Sequence, residues 1–142
     1  MNEERIRPIA ICVCRDGERI LVAEYNENGR LYYRPLGGAI EFGERGEEAV
    51  RREIREEVAS DLTDVRYLGL LENIYSLEGQ RAHQIVLVYD GRLSDVSLYE
   101  KEVIQGDELG DPFKAVWKRL DEFGPGKPPV YPDGLLTLLT PY

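Results

Sequence analysis

Cysteine, histidine and long apolar runs are nearly absent from this sequence, and each absence removes a class of function. Of 142 residues only Cys12 and Cys14 are cysteines. Two positions apart on a strand they point to one face, where parallel side chains make a poor disulfide. Two thiols without further cysteine or a nearby histidine are not a zinc site, so both read as buried strand cysteines. The single histidine, His83, begins the Gln84-Ile85-Val86 run and reads as a hydrogen-bonded structural residue rather than a catalytic one. The longest apolar runs, Ile9 to Cys14 and Ile85 to Tyr89, fall far short of a bilayer span. The opening Met1-Asn2-Glu3-Glu4 lacks the apolar core of a secretory signal. A cytoplasmic chain with no membrane partner is the expectation.

Basic charge is also scarce. Eighteen Lys and Arg stand against 27 Asp and Glu, a formal net charge of -9. Stable nucleic-acid binding needs a basic face, so none is expected. The acidity suits cation binding, in which case a metal must mediate any contact with a polyanionic substrate. No repeat, low-complexity tract or flexible linker divides the sequence. With 42% apolar and 32% charged residues, it fits one globular domain over residues 1–142.

What is present is a strand-rich first third followed by one acidic helix. Arg5 to Cys14 is rich in Ile and Val, Asp16-Gly17 is a hairpin turn signal, and Arg19 to Tyr25 continues as a second strand. After a loop at Asn26 to Gly29, a short strand spans Leu31 to Arg34, and Pro35-Leu36-Gly37-Gly38 reads as its break. Val50, Ile54 and Val58, at i, i+4 and i+8, predict a helix from about Gly46 to Ala59. Strands are expected around Val65 to Tyr75, Ala82 to Tyr89 and Phe113 to Arg119. Residues 91 to 112 look mostly like loop, and a short apolar helix closes the chain near Gly134 to Leu139. Strands flanking a central helix suggest a mixed sheet covered by helices.

At about 100° per residue, Glu53, Glu56 and Glu57 fall within an arc of roughly 100° on that helix. Val50, Ile54 and Val58 occupy the neighbouring arc, so the acids border the face that packs on the sheet. Like charges this close repel by a few tenths of a kcal/mol per exposed pair (~0.2–0.5), and more near a buried face. A divalent cation resolves that conflict, since Mg2+ takes carboxylate oxygens and keeps positions open for phosphate. Taken alone, the pattern also describes an ordinary solvated acidic face. The paired Gly37-Gly38 turn just upstream, able to bring backbone close to a ligand, weighs toward a site.

Gly38, Glu44 six positions on, Arg52-Glu53 and Glu56-Glu57 together resemble the signature of the Nudix hydrolase (MutT-like) family. The likeness implies an α/β/α sandwich, the Nudix fold, with a mixed β-sheet flanked by helices. It also implies metal-dependent hydrolysis of a diphosphate linkage in a nucleoside diphosphate joined to another moiety. That substrate is a small nucleotide derivative such as a dNTP, ADP-ribose, a nucleotide sugar or a dinucleoside polyphosphate. By the same resemblance Glu53, Glu56 and Glu57 bind Mg2+ or Mn2+, with the carbonyl of Gly38 completing the shell. Glu53 or Glu57 takes a proton from water, the choice being left open. Arg52 orients a glutamate, and Glu44 supports it from the helix entrance.

Relatives often recruit a further acid from a distant loop. Glu108 is the candidate here, with Asp107 and Glu102 as rivals, and a solvated loop acid as the plainer reading. Arg34 is placed to meet a phosphate or to lie on the strand surface. Trp117 reads as a core or edge aromatic, and Tyr75 carries no subclass assignment. Two departures from the family pattern stand at the helix end, where Ala59 replaces the usual Gly and Ser60 an apolar residue. If positive φ is still required there, Ala59 costs about 1 kcal/mol. An inactive or weak nucleotide-binding module is the alternative function. An acidic helix engaging a basic protein partner is a third reading, opposed by the glycine pair. Homodimers are frequent among similar proteins, and no seam in this sequence decides for one.

Overall fold

The computed structural model describes residues 4–140. Seven strands alternate with two helices in the order β1 (Ile6–Cys12), β2 (Arg19–Glu27), β3 (Arg30–Ala39), α1 (Gly46–Val58), β4 (Leu62–Leu77), β5 (Gln80–Leu93), β6 (Val103–Glu108), β7 (Asp111–Arg119) and α2 (Leu135–Leu139). Across the sheet the strands lie in the order β4-β5-β1-β3-β2-β7-β6. All neighbours are antiparallel except β1 and β5, which run parallel.

Strand β3 makes this a folded sheet. Its first half pairs with β2 as far as Pro35, opposite Val22. Its second half pairs with β1 from Leu36, opposite Cys12, to Ala39. Pro35 has no N–H to give to a ladder. The Pro-Leu-Gly-Gly run therefore marks where β3 changes partner, and the strand continues through it rather than breaking. The Asp16-Gly17 turn forms, with Asp16 bridged to Arg19, but β1 and β2 are separated in the sheet by β3. A true hairpin occurs later. Glu78 and Gly79, both at positive φ, join β4 to β5 in a two-residue turn between Leu77 and Gln80.

Alternation along the strands sorts the core into two layers. Ala10, Cys12, Leu21 and Ala23 face one side, where they pack with Ala49, Val50, Ile54 and Val58 of α1. Ile11, Val13, Ile20 and Val22 face the other and meet Leu135 and Leu139 of α2. The mixed sheet with a helical layer on each side is the architecture expected from the sequence. Cys12 and Cys14 share the α1 side, fully buried, as free thiols, with Cys14 Sγ donating to Cys12 Sγ at 3.4 Å.

The stretch read as loop holds β6, whose six residues pair with β7 from Val103 to Glu108. Only Ile104 of its apolar pair is buried, while Val103 is exposed. An edge strand this polar gives little periodic signal. Trp117 donates from Nε1 to the Leu98 carbonyl at 2.9 Å and stacks on Tyr99, an edge aromatic with its polar group satisfied. His83 differs from expectation. It is half-buried on β5 opposite Ile74, and its ring makes no hydrogen bond among the described residues. No helix among the described residues is long and apolar enough to cross a membrane.

Candidate active site

Helix α1 begins one residue after an acidic turn. Glu41 N–H donates to Glu44 at 3.0 Å, and Arg45 N–H donates to Glu48 at 2.8 Å, so carboxylates satisfy backbone donors at the entrance. At the other end Ala59 takes the left-handed conformation, φ 56°, and its N–H reaches the Arg55 carbonyl at 3.1 Å. Positive φ is therefore required at this helix end and is met by an alanine. Ser60 is buried and bonds the Asp61 carbonyl at 2.9 Å, which accounts for a hydroxyl where an apolar side chain was expected.

Arg52 organises the acids. It grips Glu44 with two nitrogens at 2.8 and 3.0 Å, Glu53 at 2.8 Å and the Ala39 carbonyl at 3.0 Å, with Glu56 at 3.4 Å. The two-pronged grip pulls the Glu44 carboxyl down to about 2, well below its usual range. Its own charge is held all the more firmly. Arg52 thus ties the helix to the end of β3 and fixes where Glu53 points.

The two glycines are required for separate reasons. A Cβ on Gly37, at φ 149°, would lie 2.1 Å from the Ala10 carbonyl oxygen of the neighbouring strand. A Cβ on Gly38 would lie 2.6–2.7 Å from the carboxylate atoms of Glu53. The first permits the strand pairing. The second gives Glu53 its place against the backbone.

Glu57 is buried, 5% exposed, and accepts a hydrogen bond from the Gly37 N–H at 3.1 Å. Burial, then the charges of Glu53 and Glu108, push its carboxyl up to about 8 against the weaker pull of Gly37 and Arg34. Burial also raises Glu53, despite Arg52. Glu108, at the end of β6, acts on both and lines the same cleft, as does Asp107. Glu102 does not line it. Arg34 lines it too, with its guanidinium 2.9 Å from the Tyr25 hydroxyl and 5.1 Å from that ring's centre.

The cleft has a volume of about 1090 Å³ and opens beside β3 where that strand changes partner. Its lining carries Glu53, Glu56, Glu57 and Glu108 together with Tyr32, Tyr75 and Tyr131, and with Asn73 and Gln84, which pair across β4 and β5. Among the described residues no three of His, Cys, Asp or Glu converge closely enough to make a ready metal cage. The chemistry of the donors still fits a hard divalent cation. They are carboxylates, Glu53 and Glu57 being raised first by burial and then by neighbouring acids, which a cation would relieve. Of the residues singled out in the sequence, Arg34, Gly38, Arg52, Glu53, Glu56, Glu57 and Glu108 line this cleft, with Glu56 at its exposed rim, while Glu44 is held away from it by Arg52. The tyrosines and the Asn73–Gln84 pair were not foreseen as neighbours, because contacts between β3, β4 and β5 leave no local pattern.

Residues 4–134 match the NUDIX domain family, and the chain belongs to it. Its fold is similar to a MutT NUDIX hydrolase from Burkholderia pseudomallei, at TM-score 0.70 and 21% identity over 96% of this chain and 100% of that one. It is also similar to the E. coli ORF135 protein, at TM-score 0.59 and 20% identity over 95% and 87%. Among curated proteins, the NAD-capped RNA hydrolase NudC of Vibrio atlanticus is 35% identical over 69 residues, 49% of this chain and 26% of that protein. The protein of the same name from Mycobacterium bovis is 42% identical over 66 residues, 46% and 21%. The chain thus spans about a quarter of the length of these curated relatives.

Proposed function

We propose that this chain is a divalent-metal-dependent hydrolase of a diphosphate linkage in a nucleoside diphosphate joined to another group. The observation that carries this reading is the arrangement around Gly37-Gly38. There Arg52 fixes Glu53 against Gly38, and Gly37 N–H holds the buried Glu57, both lining a cleft large enough for a nucleotide. Glu53, Glu56 and Glu57, with the Gly38 carbonyl, would hold Mg2+ or Mn2+, which neutralises phosphate charge and lowers the pKa of water. Water adds to one phosphorus, the bridging P–O bond breaks, and two phosphate products leave. Glu53 or Glu57 accepts the proton that water gives up, and Glu108 adds a carboxylate from the facing strand. Arg52 positions Glu53 without touching substrate. Arg34 meets a substrate phosphate at the neck of the cleft.

The substrate is a small nucleotide derivative of the dNTP, ADP-ribose, nucleotide-sugar or dinucleoside-polyphosphate kind. The NudC proteins are named for hydrolysing NAD-capped RNA, so NAD and an NAD-capped oligonucleotide belong in the same screen. Hydrolysis of at least one of these with Mg2+ or Mn2+, lost in Glu57→Gln, is the expected result. Full activity in Glu57→Gln would remove the proposed metal role. The lack of a ready cage among the described residues favours a second reading, a nucleotide-binding module without turnover. Tight binding of one compound with no hydrolysis of any would establish it.

A further inference from the structure

Across β4 and β5 the cleft is lined by a polar pair that the proposed hydrolysis does not use. Asn73 on β4 is 6% exposed and stands directly opposite Gln84 on β5. Its Nδ2 donates to Gln84 Oε1 at 3.1 Å. No other hydrogen bond is made by either side chain among the described residues, so Asn73 Oδ1 and Gln84 Nε2 are left without partners. Neither atom is sealed inside the protein, and both residues line the cleft. Both atoms are therefore reachable from the cleft, where a ligand that matches them gains hydrogen bonds and one that does not must desolvate them at a cost.

The surroundings define what fits. Gln84 is paired in turn with Arg7 of β1, so Asn73, Gln84 and Arg7 form one row across three strands. The next row toward the acids holds Val86 and Ile9, and beyond it Ile11 lies opposite Gly37. From Ile11 to Arg7 is four residues of strand, roughly 13 Å. Ile9, Ile11 and Val86 give the cleft an apolar floor between the amide row and the glycine pair. Tyr75, two positions beyond Asn73 on β4, continues the wall, and Tyr32 lines the same cleft. A planar ring with a hydrogen-bond donor beside an acceptor matches this set of groups, and aromatic neighbours supply faces for it.

We infer that Asn73 and Gln84 form a base-reading subsite, in which the free Asn73 Oδ1 and Gln84 Nε2 pair with the donor–acceptor edge of the substrate's nucleobase. This rests on the diphosphate reading for its placement, but not for its test. Each amide holds the other in register, so the pair offers one acceptor and one donor side by side. A ligand lacking that edge would leave both unmet, the situation in which polar sites discriminate most strongly.

Binding is the measurement, because it does not depend on turnover. With Mg2+ present, calorimetry compares the α,β-methylene diphosphates of adenosine, guanosine, cytidine and uridine, with methylenediphosphonate as the base-free probe. Wild-type protein is expected to rank the four bases over at least ~10-fold in Kd. Asn73→Leu and Gln84→Leu should each weaken the best nucleotide by ~10-fold and shrink the ranking to within ~3-fold, while the base-free probe shifts by less than ~2-fold. Asn73→Asp, close to Asn in volume, keeps the acceptor and removes the donor, and should reorder the bases even if the leucine variants fold poorly. An unranked wild type, or variants that keep the wild-type ranking, would overturn the subsite. Ranked binding without any hydrolysis would sink the catalytic reading and leave this one standing. Hydrolysis with unranked binding would do the reverse.

Discussion

Glu57 and Glu44 stand 13 positions apart, and the folded chain moves their carboxyls in opposite directions. Glu57 titrates near 4.5 when unfolded and near 8 when folded without metal. Between those values the native state retains a proton that the unfolded chain has released. The stability tied to Glu57 is therefore complete below pH 4.5 and is lost as pH rises through 8. Glu44 behaves in the other sense. Its folded value of about 2 lies below 4.5, so its contribution is present above pH 4.5 and disappears as pH falls toward 2. In EDTA, urea melts of Glu57→Gln should show a flatter pH dependence between 5 and 8 than wild type. At pH 8 the variant should be the more stable by a few kcal/mol, ~1.4 for each unit of the shift at most. A variant equally or less stable than wild type at pH 8 would mean that Glu57 is not strained by its surroundings.

Arg52 supplies the other residue-scale prediction. Arg52→Lys retains the charge but cannot make the two-pronged grip on Glu44 while also reaching Glu53 and Ala39. Metal-dependent kcat should fall by ~10–100-fold, in the range found for residues that orient metal ligands. Circular dichroism should be unchanged. A parallel loss of secondary structure would show that Arg52 holds the fold together rather than Glu53 in place.

At the scale of elements, α1 is the part most fully legible in the sequence. Its apolar stripe, its acidic border and its limits near Gly46 and Val58 follow from helical periodicity. The glutamates gather at the cleft because their arc borders the stripe that packs on β1 and β3. What escaped sequence reading depends on partners distant in the chain. Pro35 to Gly38 has the composition of a turn, and only β1 waiting beside Leu36 to Ala39 turns it into strand. Asn73 and Gln84 meet because β4 and β5 pair in one register, which neither strand specifies locally. The helix end offers a direct test. Ala59 sits at φ 56°, where an alanine methyl crowds the backbone and glycine does not. Ala59→Gly should raise stability by about 1 kcal/mol, less the entropy that glycine adds to the unfolded chain. A melting temperature lower than wild type would show that this strain is absorbed elsewhere.

The whole molecule joins two chemistries that no single layer contains. Helix α1 and the end of β6 supply carboxylates, while β4, β5 and the first half of β3 supply amides and tyrosines. The folded sheet brings them to one cleft. In the metal-free protein the acidic cluster is a source of instability. A divalent cation should therefore stabilise the entire fold, by RT ln(1 + [M]/Kd), or ~2.7 kcal/mol at a hundredfold excess over Kd. Protons compete with metal for the same oxygens, so the gain should be larger at pH 8 than at pH 5. Melting temperatures with and without 10-mM-scale Mg2+ (roughly a hundredfold over a ~0.1 mM site) should separate widely at pH 8 and converge at pH 5. In Glu57→Gln they should nearly coincide at both. A metal-induced rise of equal size in wild type and Glu57→Gln would place the cation elsewhere, and with it the chemistry assigned to this acidic cluster.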